Sequence, residues 1–298
     1  MRTADPHGSA SRETALKDAF VHCAGLVREE DRPRYAARLF LPEPARNPVL
    51  ALDAFRLETL KIPFLTSEAG PAEIRLQWWR EVIEGGRESE AAAHPVALAL
   101  CSVIGDRSLP LPAFGRYLEA RAFDLYHDPV PDRAALEGLI GETESFLMQM
   151  AAIVAGLEQN STLADACGHG GMAVGIARLL RLLPWHTSRQ QVRLPLDLLA
   201  EHGLDEAGFL AEHGEAGGEA QGRAVAAFAR LGLEHSQKAR AAIRQSQKAG
   251  RAVFLPITEA ELVLRAAMGT PQAALAQPLT VSPLKAQWAL WRTALAGF

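Results

Sequence analysis

Apolar residues recur at three- and four-residue spacing along almost the whole chain, and strand-like alternation is nearly absent. Ala15, Leu16, Ala19, Phe20, Cys23, Leu26 and Val27 form one such stripe. Leu136, Leu139, Ile140, Phe146, Leu147, Met150 and Val154 form another. This period gathers each set on one helix face, so the pattern calls for an all-α fold. Prolines punctuate it at Pro42, Pro63, Pro71, Pro95, Pro110, Pro129, Pro184, Pro195, Pro271 and Pro283. Proline has no amide hydrogen and clashes with the preceding turn, so each marks a helix boundary. The spacing predicts helices near 12–30, 32–40, 46–61, 71–85, 95–105, 111–127, 132–157, 161–183, 195–201, 205–212, 219–249, 258–269 and 283–296. The segment Glu212–Glu219 reads as a flexible loop, and residues 1–11 as a flexible, polar N-terminus. There is no internal repeat, so residues 12–298 are expected to form one domain.

The 298 residues are 48% hydrophobic and 22% charged, which suits a globular chain with a sizeable core. A net charge of −4 argues against nucleic acid as a partner. Cys23, Cys101 and Cys167 are far apart and read as buried thiols of a reducing compartment. No apolar run approaches the ~18 residues of a membrane span. The N-terminus lacks a signal-peptide layout. Residence in the cytoplasm is expected, with peripheral contact to the inner membrane left open.

Four blocks stand out: Ala51-Leu-Asp-Ala-Phe-Arg56, Glu73-Ile-Arg-Leu-Gln-Trp-Trp-Arg80, His94-Pro-Val-Ala97, and Gly175 through Pro195. Together they resemble the squalene/phytoene synthase family over residues 12–297. Arg75-Leu-Gln-Trp-Trp-Arg80, Leu180 through Arg189, Val192 through Asp197 and His202-Gly203 are most similar to one branch of it. That branch includes a mitochondrial respiratory complex I assembly factor and its bacterial relatives. The resemblance implies an isoprenoid-synthase-like helical bundle around a central cavity.

It also implies two aspartate pairs that hold Mg²⁺ against a substrate diphosphate. Two carboxylates at i and i+4 share a helix face and can do this. Aligned on Ala54-Phe55, the first pair falls on Leu60 and Phe64. Counted back from Leu194-Pro195, the second falls on Leu182 and His186. Leucine and phenylalanine cannot bind Mg²⁺, and a lone histidine is a poor ligand for it. No catalytic residue, no metal site and no cofactor is therefore expected. Asp124-Leu-Tyr-His-Asp128 has the right spacing but reads as surface or capping carboxylates. Glu142 and Glu144 are likewise expected on the surface.

Other residues are candidates for a cavity or an anion site. Arg75 and Trp79 are i,i+4 neighbours on one helix, with Trp78 assigned to the core beside Ile74 and Val82. His169 lies within the small-residue run Gly168, Gly171 and Gly175, whose spacing predicts a close helix–helix approach. Arg181, His186, Arg189 and Arg193 form a basic cluster, expected to be a functional edge that attracts an anion. A largely apolar cavity is expected beside Leu60, Phe64, Trp79, Gly175 and Leu182. The C-terminal helix is expected to dock onto the domain through Trp288, Trp291 and Leu295.

Three functions are compatible with this reading. The first is a non-catalytic assembly or chaperone-like factor of the complex I type, whose partners would be complex I subunits or assembly intermediates and whose ligand would be isoprenoid or lipid-like. The second is a transferase that uses farnesyl or geranylgeranyl diphosphate, with altered binding of Mg²⁺. The third is a carrier of isoprenoid lipid.

Overall fold

The computed structural model of the chain describes residues 6–66, 68–211, 215–247 and 250–298. Helices follow one another with short connections: α1 Pro6–Glu30, α2 Arg32–Arg38, α3 Glu43–Leu65, α4 Ala69–Ile83, α5 Glu88–Ala93 and α6 Pro95–Asp106. Next come α7 Leu111–Ala122, α8 Arg133–Ile140, a π turn Gly141–Ser145 and α9 Phe146–Val154. The chain continues with α10 Ser161–Arg181, α11 Leu183–Ser188, α12 Leu196–Ala200, α13 Glu206–Leu210 and α14 Glu215–Gln245. It closes with α15 Pro256–Gly269, α16 Pro271–Ala276 and α17 Pro283–Ala296. The described residues include no strand, in agreement with the all-α expectation.

Local chemistry sets the helix starts. The side chains of Asp31, Asp132, Asn160 and Asp205 accept hydrogen bonds from the amides of Arg34, Ala135, Leu163 and Gly208. Each satisfies a donor that has no partner inside its own helix. Proline occupies the first turn of α2, α3, α6, α7, α11, α15, α16 and α17, where its missing amide hydrogen costs nothing. Pro63 is the exception to the boundary reading. It lies inside the last turn of α3, and the helix runs on to Leu65. Only one backbone hydrogen bond is forfeited so near an end.

The centre of the molecule is α10. Every residue from Gly170 to Ala177 is buried, and a helix covered all round is an internal one. It packs against α14, α15, α9 and the π turn. The expected close approach holds for two of the three glycines singled out. A Cβ at Gly171 would overlap the Ser145 backbone, and one at Gly175 would lie 2.7 Å from Ile140 Cγ2. Gly168 has open space around it, and Gly170, not singled out, abuts Met148 and Ile257 instead.

Several boundaries differ from expectation, and α5, α11 and α16 have no counterpart among the expected helices. The stretch expected as one helix over 132–157 is interrupted by the π turn. Residues 212–214 of the expected loop lie outside the described residues, and α14 is already helical at Glu215. Residues 1–5 of the expected flexible N-terminus also lie outside the described residues, while α1 begins at Pro6. The C-terminal helix does dock, but through the opposite face. Ala289, Leu290 and Thr293 are buried, whereas Trp288, Trp291 and Leu295 are exposed.

Candidate functional site

A cavity of about 760 Å³ opens between α2, α3, α10, α15 and α17. Leu60, Phe64 and Leu182, three positions where the resemblance puts metal carboxylates, lie on its wall. So do Leu57, Val174, Val263 and Leu290, which make the wall largely hydrocarbon. The wall is nevertheless not as apolar as expected. Arg28, Arg32, Arg34, Arg56, Lys61, Arg178 and Arg181 share it with only three acids, Glu30, Asp31 and Glu259. A concave, partly desolvated surface with excess positive charge favours an anion.

Beneath the floor lies a buried ion network. Asp53 on α3 takes two hydrogen bonds from Arg38, at 2.7 and 3.2 Å, and one from Arg34 at 3.0 Å. Arg38 also donates to the Val253 carbonyl at 2.9 Å. Glu144, in the π turn, accepts from Arg56 Nε at 3.0 Å and Arg121 Nη2 at 3.3 Å. Arg178 Nε and Arg34 Nη2 stand 3.6 and 3.7 Å from the same carboxylate. Arg121 also reaches Asp124 at 3.2 Å. Burial alone would push the Asp53 and Glu144 carboxyls up. The guanidiniums around them outweigh it and hold both below the usual carboxylate range. Arg178 has only a distant carboxylate, Glu144, on its Nε. Burial and the neighbouring Arg121 lower its pKa, and its Nε has no hydrogen-bond partner among the described residues.

The two degenerate motifs meet face to face. Phe64 of α3 stacks on Trp185 of α11 with ring centroids 4.3 Å apart. The Arg189 guanidinium lies over the Trp185 ring, 4.9 Å from its centroid. His186 does not reach the cavity. It is buried beside Trp185, and its Nδ1 is 3.1 Å from Gln191 Oε1. Burial pulls its pKa down to about 4, so the ring is neutral at neutral pH.

The remaining candidates scatter. Trp79 is a core residue packed edge-on against Phe55 at 5.0 Å, while Trp78 is only partly buried and donates to Glu90. Ile74, expected inside with Trp78, is exposed. The buried face of α4 therefore runs through Ala72, Leu76, Trp79 and Val82. Arg75 is exposed and lies off the cavity wall. His169 faces His235 on α14, Nδ1 to Nδ1 at 3.0 Å, away from the cavity.

The expected basic edge divides. Arg181 lines the cavity and pairs with Glu259. Arg193 is buried and donates to the carbonyls of Asp128, Phe123 and Tyr126 at 3.0, 3.3 and 2.7 Å. It fastens the segment after α7 and is a folding residue, contrary to expectation. Asp124 is largely buried against Arg121, while Asp128 is exposed. Glu142 pairs with Arg116 at the surface as expected, but Glu144 is buried.

Of the network residues Arg34, Arg38, Asp53, Arg56, Arg121, Glu144 and Arg178, sequence reasoning named only Asp53 and Arg56, within a family block, and Glu144, which it put on the surface. Signals for three of them existed. Asp53 and Arg56 interrupt the apolar run Val49 to Leu57, and a charge inside such a run is buried with a partner. Glu144 stands four residues after Ile140 and three before Leu147, so the spacing that buries those two carries it inward.

Among the described residues no three His, Cys, Asp or Glu side chains converge as a metal site requires. The acids nearest the cavity are already engaged: Asp31 by Arg34 and Arg56, Glu30 by Lys61, Glu259 by Arg181. These donors do not fit the Mg²⁺ clamp that the fold family implies.

Comparison with known proteins follows the same lines. The Squalene/phytoene synthase family profile matches residues 27–292. The curated relatives include NADH dehydrogenase (ubiquinone) complex I, assembly factor 6 of Rattus norvegicus. It is 28% identical over 230 residues, 77% of this chain and 68% of the relative. The Homo sapiens protein of that name is 28% identical over 217 residues, 72% of this chain and 65% of its own. This chain thus spans about two thirds of the length of those relatives. Squalene synthase HpnC from Alicyclobacillus acidocaldarius superposes with a TM-score of 0.71 at 17% identity, over 89% of this chain and 97% of the other. A dehydrosqualene synthase solved with ligand gives a TM-score of 0.76 at 14% identity, over 96% and 98%. At such identity the superpositions establish the fold alone. With helical order, cavity and profile in agreement, the chain belongs to the squalene/phytoene synthase family.

Proposed function

We propose that this chain is a non-catalytic member of its family. It acts as an assembly or chaperone-like factor of the respiratory complex I type, and its partners are complex I subunits or assembly intermediates at the inner membrane. The Phe64–Trp185 stack carries this reading. It sets an aromatic pair, Phe64 and the neighbour of His186, where the resemblance puts carboxylates of both motifs. Ionising a diphosphate needs that charge neutralised, and no free carboxylate pair on this wall is placed to hold the metal. The names of the curated relatives support the assembly role.

The cavity keeps a purpose in this reading. Its hydrocarbon wall and cationic excess suit an isoprenoid or lipid-like molecule with an anionic head, bound and not turned over. Deleting the gene tests the assembly role. The expected result is loss of NADH:quinone oxidoreductase activity with accumulation of partial complexes on native gels, restored by the wild-type chain. Purified protein given farnesyl or geranylgeranyl diphosphate with Mg²⁺ should release no diphosphate. Steady turnover there, with the complex intact in the deletion strain, would instead establish the transferase.

A further inference from the structure

The last helix has three distinct stripes. Ala286, Ala289, Leu290 and Thr293 face the body of the protein, and Ala286 and Leu290 reach the cavity. On the other side Leu284, Trp288, Trp291 and Leu295 are 81, 72, 51 and 77% exposed. At roughly 100° per residue these four fall within an arc of about 60°. Lys285 and Arg292 lie together along one edge of that arc, both exposed, and α17 contains no acidic residue. Trp291 meets Phe40 edge-on at 6.1 Å and keeps about half its surface exposed.

Isolated exposed apolar residues are ordinary, but four aligned on one helix, two of them tryptophan, are not. We infer that the outer face of α17 lies in the interface of an anionic lipid bilayer. Tryptophan is amphipathic and favours the headgroup level, leucine reaches the acyl boundary, and a flanking cationic strip meets acidic headgroups. A protein surface would have to supply a matching apolar groove and an acidic edge at once. A membrane supplies both without shape complementarity. The helix is about 21 Å long, long enough to lie in the plane and too short to cross. Among the described residues no helix is long and apolar enough to cross a membrane, so the contact is peripheral. Because the same helix walls the cavity, the cavity is set beside the lipid surface. This inference stands apart from the assembly role, since it concerns lipid and needs no protein partner.

Flotation of the full chain with vesicles tests it. Vesicles mixing phosphatidylcholine and phosphatidylglycerol should carry the protein up, with a blue shift of tryptophan emission. Pure phosphatidylcholine should bind about tenfold less or weaker. Leu284→Ser with Trp288→Ser should cut binding to the mixed vesicles about tenfold or more while melting like wild type. Lys285→Glu with Arg292→Glu should abolish the preference for anionic lipid, and it keeps the test valid if the first variant misfolds. Absence of wild-type binding to mixed vesicles would overturn the inference, as would folded variants of both kinds that float like wild type. A dimer in sedimentation that Leu284→Ser with Trp288→Ser dissolves, with no vesicle binding, would assign the face to a second copy. Loss of complex assembly in cells without vesicle binding would assign it to a protein.

Discussion

The surroundings of Glu144 and the outer face of α17 break the usual distribution of residues in opposite ways. Around Glu144, charge is buried and each carboxylate is met by arginines. On α17, apolar side chains are exposed with little against them. The contrast separates two reasons for keeping a costly feature. A buried ion costs several kcal/mol to desolvate, so it persists only within a closed set of partners and belongs to the fold. An exposed tryptophan stripe contributes little to folding, so its reason lies outside the molecule.

The largest effect is expected at Glu144. Glu144→Ala removes the carboxylate that Arg56 and Arg121 share and leaves them only Asp31 and Asp124, and the expected loss is about 3 kcal/mol of unfolding free energy. Denaturant melts measure it. A loss below ~1 kcal/mol would mean that water or rearrangement satisfies the arginines, and the network would not be a folding element.

A smaller effect concerns pH. His186 is held neutral by burial with a pKa of about 4, below its unfolded value. Both forms are neutral above about pH 6.5, so the term is absent there. As pH falls toward 4 the unfolded chain takes up a proton that the folded one refuses, and stability declines. This group alone should cost roughly 1–2 kcal/mol between pH 6.5 and 5. His186→Gln should flatten that part of the pH profile; an unchanged slope would show that His186 protonates freely in the folded protein. The carboxylates act later. Their lowered pKa values give stability that is present above ~4 and lost only as pH falls below it.

The smallest effect is expected on α17. Leu284→Ser with Trp288→Ser should shift the unfolding free energy by no more than ~0.5 kcal/mol, because both side chains are mostly in solvent. A loss of several kcal/mol would place them in the core of the domain and erase the contrast.

These differences also explain what could be read from sequence. Helices, most caps and the central position of α10 follow from local spacing and side-chain type, which act over a few residues. The family blocks led to Leu60, Phe64 and Leu182 on the cavity wall. The ion network was harder to find because it joins α2, α3, α7, α10 and the π turn, and pairings such as Arg38–Asp53 and Arg56–Glu144, 15 and 88 residues apart, leave no periodic mark. The phase of α4 went astray by one residue, since Trp78 and Trp79 are adjacent and either could have led the buried stripe. For α17, an amphipathic pattern identifies an apolar face but not what covers it. The small face Ala286, Ala289 and Thr293 turned inward because it allows close packing, leaving the larger face outside.

The π turn has a consequence for how this chain is aligned. A π turn accommodates one residue more than the α-helical turn it replaces. Residues from Phe146 onward therefore stand one position behind where an unbroken helix from Arg133 would set them. Superposed on a relative whose helix is regular here, this chain needs a single-residue gap between Ile140 and Phe146. Without it, every comparison of α9 is displaced by one, and Glu144 is matched to a neighbour pointing about 100° away around the helix.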